Sequence, residues 1–268
     1  MTKNKTFWVG IVAAAALALT GCGDDATGTG GTAGSGGTAG DGGTGGGETG
    51  TGSITAVHLA PEVPAAGMTD VTVYVNGEAA AVIAYGESTG RVDLAAGEDY
   101  AIGLGTAETE LLTLDPFTMP EGADLVAVAY RTNDELPVGV WVVDIATEGL
   151  VAGSGRVFVG HGANDSLLNP VDIIVTDEGA CPEPLLDQFA FGTMTAPGDA
   201  DLPAATYNLG FDLDPGDCTA EVEFSAPVAA DLSTIVVAVD EDTTDESLDP
   251  QVWAIVDASA APVSLIAE

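Results

Sequence analysis

The chain has 268 residues, 46% of them hydrophobic, with 42 acidic against 5 basic side chains and a formal charge of −37. Such a composition is that of folded, core-bearing protein. It excludes nucleic acid as a partner, because binding phosphate requires a basic surface.

The first element is a leader. Lys3 and Lys5 precede an apolar run from Phe7 to Leu19, which is too short to cross a bilayer core and has the form of a secretory h-region. Residues 1–21 are therefore expected to be a signal peptide. Leu19-Thr20-Gly21-Cys22 resembles the bacterial lipobox, in which the Cys thiol is diacylated and becomes the mature N-terminus. The resemblance implies lipidation at Cys22 and a stable membrane anchor, at about 0.8 kcal/mol per buried methylene. Gly23 follows Cys22 where an Asp would resemble an inner-membrane retention signal, so the outer membrane is expected. Without the leader the chain keeps three cations, Arg91, Arg131 and Arg156. That charge favours solubility and a monomer, and it leaves the acyl anchor alone to hold the protein against anionic headgroups.

Residues 22–53 are nearly all Gly, Thr, Ala, Ser and Asp. A chain of this kind is a flexible, disordered spacer, with an end-to-end distance near 30 Å for about 30 residues.

From residue 54 onward a diverged duplication is visible. His58-Leu59-Ala60 matches His161-Gly162-Ala163, and Val71–Val75 matches Val171–Val175. Tyr85-Gly86 matches Phe191-Gly192, Tyr100–Gly103 matches Tyr207–Gly210, and Val140-Trp141 matches Val252-Trp253. Ala123-Asp124-Leu125 likewise matches Ala230-Asp231-Leu232. Two repeats follow, 54–150 and 151–268. Within the first, Val71–Val75 alternates as a half-buried strand and Asn76-Gly77 is a type I′ hairpin signal. Short strands are expected at Glu78 to Tyr85, Arg91 to Leu94, Tyr100 to Leu104, Leu111 to Leu114, Leu125 to Tyr130 and Val138 to Ile145. Helical periodicity is absent outside the leader. The expected fold class is all-β, two tandem immunoglobulin-like β-sandwich domains after the signal peptide and tether, with a small barrel as the alternative.

The chain has three cysteines. With Cys22 acylated, Cys181 and Cys218 remain as an even pair in an oxidising compartment, and a disulfide between them is expected. Its closure would stabilise by about 4 kcal/mol. Two separate buried thiols are the alternative.

His58-Leu59-Ala60-Pro61-Glu62, Val73-Tyr74-Val75-Asn76-Gly77 and Leu94-Ala95-Ala96-Gly97-Glu98-Asp99-Tyr100 together resemble the bacterial domain of unknown function 4397 family. The second repeat departs from that pattern at Asn164-Asp165 and at the Cys181-Pro182-Glu183-Pro184 insertion. The resemblance implies an exported or surface-anchored protein with tandem domains, and it brings no active site.

Catalytic motifs are sparse. Gly153-Ser154-Gly155 lacks the strand-to-helix elbow of a serine nucleophile, and no lysine follows the leader to form a Schiff base. The two histidines, His58 and His161, hold equivalent places in separate repeats, so the simpler reading is a strand-start histidine making a local hydrogen bond. Asp240, Asp242 and Asp245 belong to an acidic loop that could hold calcium, but the spacing is not that of an EF-hand and a solvated hairpin tip is the better reading. Asp212 to Asp217 is a second loop of that kind. Trp141 and Trp253 are expected in core packing rather than stacked on a sugar, and Asp144 and Asp257 at strand ends. No cofactor and no catalysis are expected. The function expected is a lipid-anchored envelope protein displaying two modules for binding or structure, with an envelope protein or a glycan as partner. The alternatives are a calcium- or carbohydrate-dependent adhesion module and a hydrolase using paired carboxylates.

Overall fold

The computed structural model describes residues 50–61, 70–132, 138–163, 170–176, 184–213, 219–240, 250–256 and 261–266. All regular structure among them is β. The first half contains β1 (Thr51–Leu59), β2 (Asp70–Val75), β3 (Glu78–Ala84), β4 (Glu87–Ser88), β5 (Val92–Ala95) and β6 (Asp99–Tyr100), then β7 (Ile102–Gly105), β8 (Glu110–Thr113), β9 (Phe117–Thr118), β10 (Asp124–Arg131) and β11 (Val138–Asp144). The second half contains β12 (Ser154–Gly162), β13 (Val171–Val175), β14 (Leu186–Phe189), β15 (Asp201–Pro203), β16 (Ala205–Asp212), β17 (Val222–Val228), β18 (Ser233–Asp240), β19 (Pro250–Ile255) and β20 (Val263–Ser264).

Each half is a two-sheet sandwich. In the first, β11-β10-β1-β4, with β5 also on β1, faces β3-β2-β7-β8; in the second, β15-β12-β18-β19-β20 faces β14-β13-β16-β17. The expected all-β sandwich architecture is therefore present. One connection is distinctive: β2 and β3 pair as a hairpin within one sheet, whereas the immunoglobulin order divides its second and third strands between sheets. The hairpin turns at Asn76 and Gly77, with φ of 53° and 78°, the two left-handed residues that a type I′ turn requires.

Alternation places Ile54 and Ala56 of β1, Val71 and Val73 of β2, and Ile102 and Leu104 of β7 in one core. Val157 and Val159 of β12, Val171 and Ile173 of β13, and Leu209 and Phe211 of β16 make the equivalent core of the second half. The duplication holds down to single hydrogen bonds. Gly86 N–H donates to His58 C=O at 2.8 Å and Gly192 N–H to His161 C=O at 2.7 Å. Thr89 Oγ1 accepts from Ala56 N–H at 3.0 Å, and Thr195 Oγ1 from Val159 N–H at 2.8 Å.

Three details differ from the sequence reading. First, β1 already begins at Thr51, so His58 is the eighth residue of its nine-residue strand and His161 the eighth of β12. They sit at strand ends, not strand starts. Second, the Ala123-Asp124-Leu125 alignment is two residues out of register. Val128 lies opposite Val57 and Trp141, and Val237 opposite Gly160 and Trp253, which makes Asp124 equivalent to Ser233. The left-handed residue of the preceding turn is Gly122 in one half (φ 73°) and Asp231 in the other (φ 59°), so the recurrence of Ala-Asp-Leu is a coincidence around that turn. Third, the two-residue strands β4 and β9 carried no readable period.

β1 and β10 lie parallel, as do β12 and β18. All residues of β1 after Thr51 are buried. Strands buried on both faces read as unbroken apolar runs, as Leu125–Tyr130 and Ile235–Val239 do. Their outward faces form a third core, shared between the halves. Val57, Leu59, Val126, Val128, Tyr130, Trp141 and Val143 of the first half meet Phe158, Ile235, Val237, Val239 and Ile255 of the second.

Candidate functional site

This shared core positions Trp141 and Trp253, the two tryptophans of the described residues. Trp141 projects from β11 onto the second half, where its indole Nε1 donates to Gly192 C=O at 3.1 Å. Its ring stacks on Tyr130, centroids 3.7 Å apart and nearly parallel, and Tyr130 meets Phe191 edge-on at 6.1 Å. Trp253 makes the reciprocal contact: it projects from β19 onto the turn of the first half, edge-on to Tyr85 at 5.8 Å. A Cβ added at Gly86 would lie 2.9 Å from the Trp253 ring. The left-handed Gly86 (φ 77°) and Gly192 (φ 78°) thus form turns against which the opposing tryptophan packs. Each tryptophan of one repeat seats on the aromatic–glycine turn of the other, which is the reciprocity of a two-fold contact.

Both tryptophans therefore lie in packed surroundings, as the sequence reading expected. Trp141 is 8% exposed, and its ring faces are occupied by protein. The two histidines are buried inside their own repeats. His58 meets Tyr85 edge-on at 6.2 Å, and His161 meets Phe189 and Phe191, each at 6.3 Å. These ring contacts all lie within each histidine's own repeat. Asp144 ends β11 as expected and its Oδ1 accepts from Ala146 N–H at 3.0 Å.

Both acidic loops are described only where they join their strands. Asp240 closes β18 opposite Pro250, while Asp242 and Asp245 lie outside the described residues, as do Cys22, Cys181, Cys218 and Asp257. Asp212 is buried and stands opposite Asp172 across β13 and β16. Asp172 accepts from Gln188 N–H at 2.7 Å. Gln188 has a φ of 50° at an irregular register of the β13–β14 ladder, so Asp172 braces that irregularity. Among the described residues no group of three or more His, Cys, Asp or Glu is arranged to hold a metal ion.

At the foot of the shared core the two repeats leave an open cleft of about 420 Å³. Arg91 and Asp124 line it from the first half, Asp231 and Ser233 from the second, with Ile145 and Thr147 of the connection between them. Asp124 is already engaged: Arg91 Nη2 donates to Oδ2, and Ser53 Oγ donates to Oδ1 at 2.6 Å. Ser233 Oγ donates to Ile145 C=O at 2.8 Å. The Arg91 side chain is 45% exposed, so this pair stabilises by no more than about 1 kcal/mol. The cleft offers charge and hydrogen bonds from both repeats. Among the described residues no histidine, cysteine or lysine lines it. His58 lies five residues along β1 from Ser53, about 17 Å at the rise of a strand.

Arg156 is the site residue that sequence reading passed over. It is 8% exposed, its Nε and Nη2 fork onto Asp201 at 3.0 and 3.1 Å, and Nη1 and Nη2 reach the carbonyls of Ala146 and Glu148 at 2.9 and 3.4 Å. One arginine thus ties the connection between repeats to the second sandwich. The available signal was its rarity, one of three arginines in the chain.

No family model matches the chain, and no curated protein matches it. Among solved structures it is similar to the Bacillus anthracis TIE protein, at 12% identity and a TM-score of 0.19, over 70% of this chain and 33% of that one. The chain spans about a third of that protein's length, and neither fold nor function follows from a likeness of this strength.

Proposed function

We propose that the protein is a lipid-anchored, non-enzymatic component of the bacterial cell envelope that displays two joined β-sandwiches at the end of a flexible tether. The observation that carries this reading is Leu19-Thr20-Gly21-Cys22 directly ahead of the Gly/Thr-rich stretch. An acylated Cys22 fixes the chain to the outer membrane, and the Gly/Thr-rich stretch that precedes β1 holds the folded part off the surface. Cys181 and Cys218 form a disulfide, and the tandem repeats belong with the domain of unknown function 4397 family that they resemble. The role is binding or structural, toward an envelope protein or a glycan. The two-sheet β fold of each half fits a binding or structural module.

The test is the mass of the mature N-terminus isolated from membranes. A diacylated or triacylated Cys22 is the expected species, and Cys22→Ser is expected to release the protein to the soluble fraction. A mature chain that begins elsewhere and carries no lipid would overturn the reading. Alkylation of unreduced, denatured protein checks the disulfide, with two free thiols per mature chain as the contrary result.

A further inference from the structure

The equivalent residues of the two outward faces can be laid beside each other by register, and their sizes run in opposite directions. At the end of the strands that bears the aromatic turns, the first repeat carries Leu59 opposite Tyr130 and the second carries Gly162 opposite Val239. At the other end the first carries Thr55, Val126 and Val143, and the second carries Phe158, Ile235 and Ile255. Matching ends face each other. Tyr130 and Trp141 lie over Gly162, and at the opposite end Ser233 hydrogen-bonds Ile145. Large therefore meets small at both ends of the shared core.

The two glycines are required by space rather than by backbone. Neither Gly160 nor Gly162 has a positive φ. A Cβ at Gly162 would lie 3.0 Å from both the Trp141 ring and the Tyr130 Cβ, and one at Gly160 would lie 2.7 Å from Met194 and 3.2 Å from the Trp141 ring. A strand glycine of this kind marks the close approach of another element.

We propose that this face is a size-coded docking surface: repeat 1 accepts repeat 2 and rejects a second repeat 1, and repeat 2 likewise rejects its own kind. A pair of first repeats would set Leu59 and Tyr130 against Leu59 and Tyr130, overfilling one end and leaving the Thr55 end loose. A pair of second repeats would do the reverse. Both faults are costly in a packed core, and a clash built against the wrong partner is a general route to specificity. For a chain held among identical copies, such a code suppresses like-with-like pairing, and the short connection keeps the correct partner at high effective concentration.

The test uses the full mature chain. Gly162→Leu is expected to lower Tm by about 5 °C or more through overpacking, and Tyr130→Val to lower it through a void. In the double variant the Tyr130 ring that stacks on Trp141 is gone, so the indole can shift off the new side chain, and the Tm is expected to lie clearly above the value that the two single losses added together predict. If Gly162→Leu alone does not fold, recovery of folded protein in the double variant is the supporting result. A double variant as unstable as the two single losses added together overturns the proposal. A second measurement addresses partner choice itself. The chain is cleaved through a protease site inserted at Val151, which is 72% exposed, and mixed with an isotope-labelled cleaved copy. Native mass spectrometry is expected to find only pairs of a first with a second repeat; pairs of like repeats would sink the idea.

Discussion

The inner cores of the two sandwiches and the core between them follow different rules, although the same strands build both. On the inner faces equivalent residues are alike in kind: Ile54 and Val157, Val73 and Ile173, Leu104 and Phe211, Ala129 and Ala238. At the ends of the outer faces they are unlike: Leu59 and Gly162, Tyr130 and Val239, Thr55 and Phe158. The difference has a physical origin. An inner face packs against its own repeat, so two copies can keep the same solution. An outer face packs against the other copy, and there a pair of large residues is tolerated only where its partner has become small.

The largest effect is expected inside a sandwich. Phe211 is 4% exposed and packs against Phe224 with ring centroids 5.2 Å apart. Phe211→Ala is expected to cost about 4 kcal/mol. Because the second repeat buries part of the first, both are expected to lose structure in one transition. Urea unfolding followed by far-UV dichroism and by tryptophan fluorescence checks this, since Trp141 and Trp253 report on the interface. A first repeat that stays folded while the second melts would show that the shared core does not couple them.

The next effect targets the shared core directly. Trp141→Ala removes the ring over Gly160 and Gly162 together with the hydrogen bond to Gly192, and is expected to cost about 3 kcal/mol. Here the unfolding curve is expected to split in two, the opposite of the result for Phe211→Ala. Trp253→Ala removes a less buried ring and is expected to cost less. Equal costs would mean that the reciprocity is closer than the burial indicates.

Much of this architecture could be read in the chain. Val71–Val75 followed by Asn76-Gly77 specifies its own hairpin, because alternation and turn chemistry are local. The duplication was legible through paired landmarks such as Trp141 and Trp253. The packing of the repeats was not, although a signal existed in Leu125–Tyr130 and Ile235–Val239: unbroken apolar runs ask for burial on both faces, which a free-standing sandwich does not provide. Gly160 and Gly162 were ambiguous for a related reason. A strand glycine says that something comes close, and only the fold says that it is Trp141. The cleft was hidden because Arg91, Asp124 and Ser233 are far apart in sequence and belong to different repeats.

A smaller effect bears on the connection rather than on either core. Arg156→Met preserves length and apolar stem but leaves Asp201 and two carbonyls without the guanidinium. The expected cost is about 2 kcal/mol. The shared core should survive, so the single transition of the wild type is expected to persist at a lower Tm. Limited proteolysis is expected to cut faster at Glu148 to Val151. If the transition instead splits as for Trp141→Ala, the tie made by Arg156, and not the aromatic clasp, is what holds the repeats in register.

The smallest effect concerns charge, which lies outside all three cores. Residues 54–150 carry 16 carboxylates and 2 arginines, a net of 2 − 16 = −14, and residues 151–268 carry 22 and 1, a net of 1 − 22 = −21. Two bodies of like charge pressed together repel, and the shared apolar face must overcome that repulsion in addition to holding its own contacts. Salt shortens the Debye length to about 10 Å at 0.1 M, so raising sodium chloride from about 10 mM to about 0.5 M is expected to lift Tm by roughly 3 °C. The gain should be larger for the interface than for the sandwiches, because each inner core closes over a single repeat while the shared core brings two acidic repeats together. In Trp141→Ala the two transitions are therefore expected to move closer as salt rises, and in Phe211→Ala salt should do little beyond the shift seen in wild type. Equal salt responses in the two variants would place the repulsion within each repeat instead of between them.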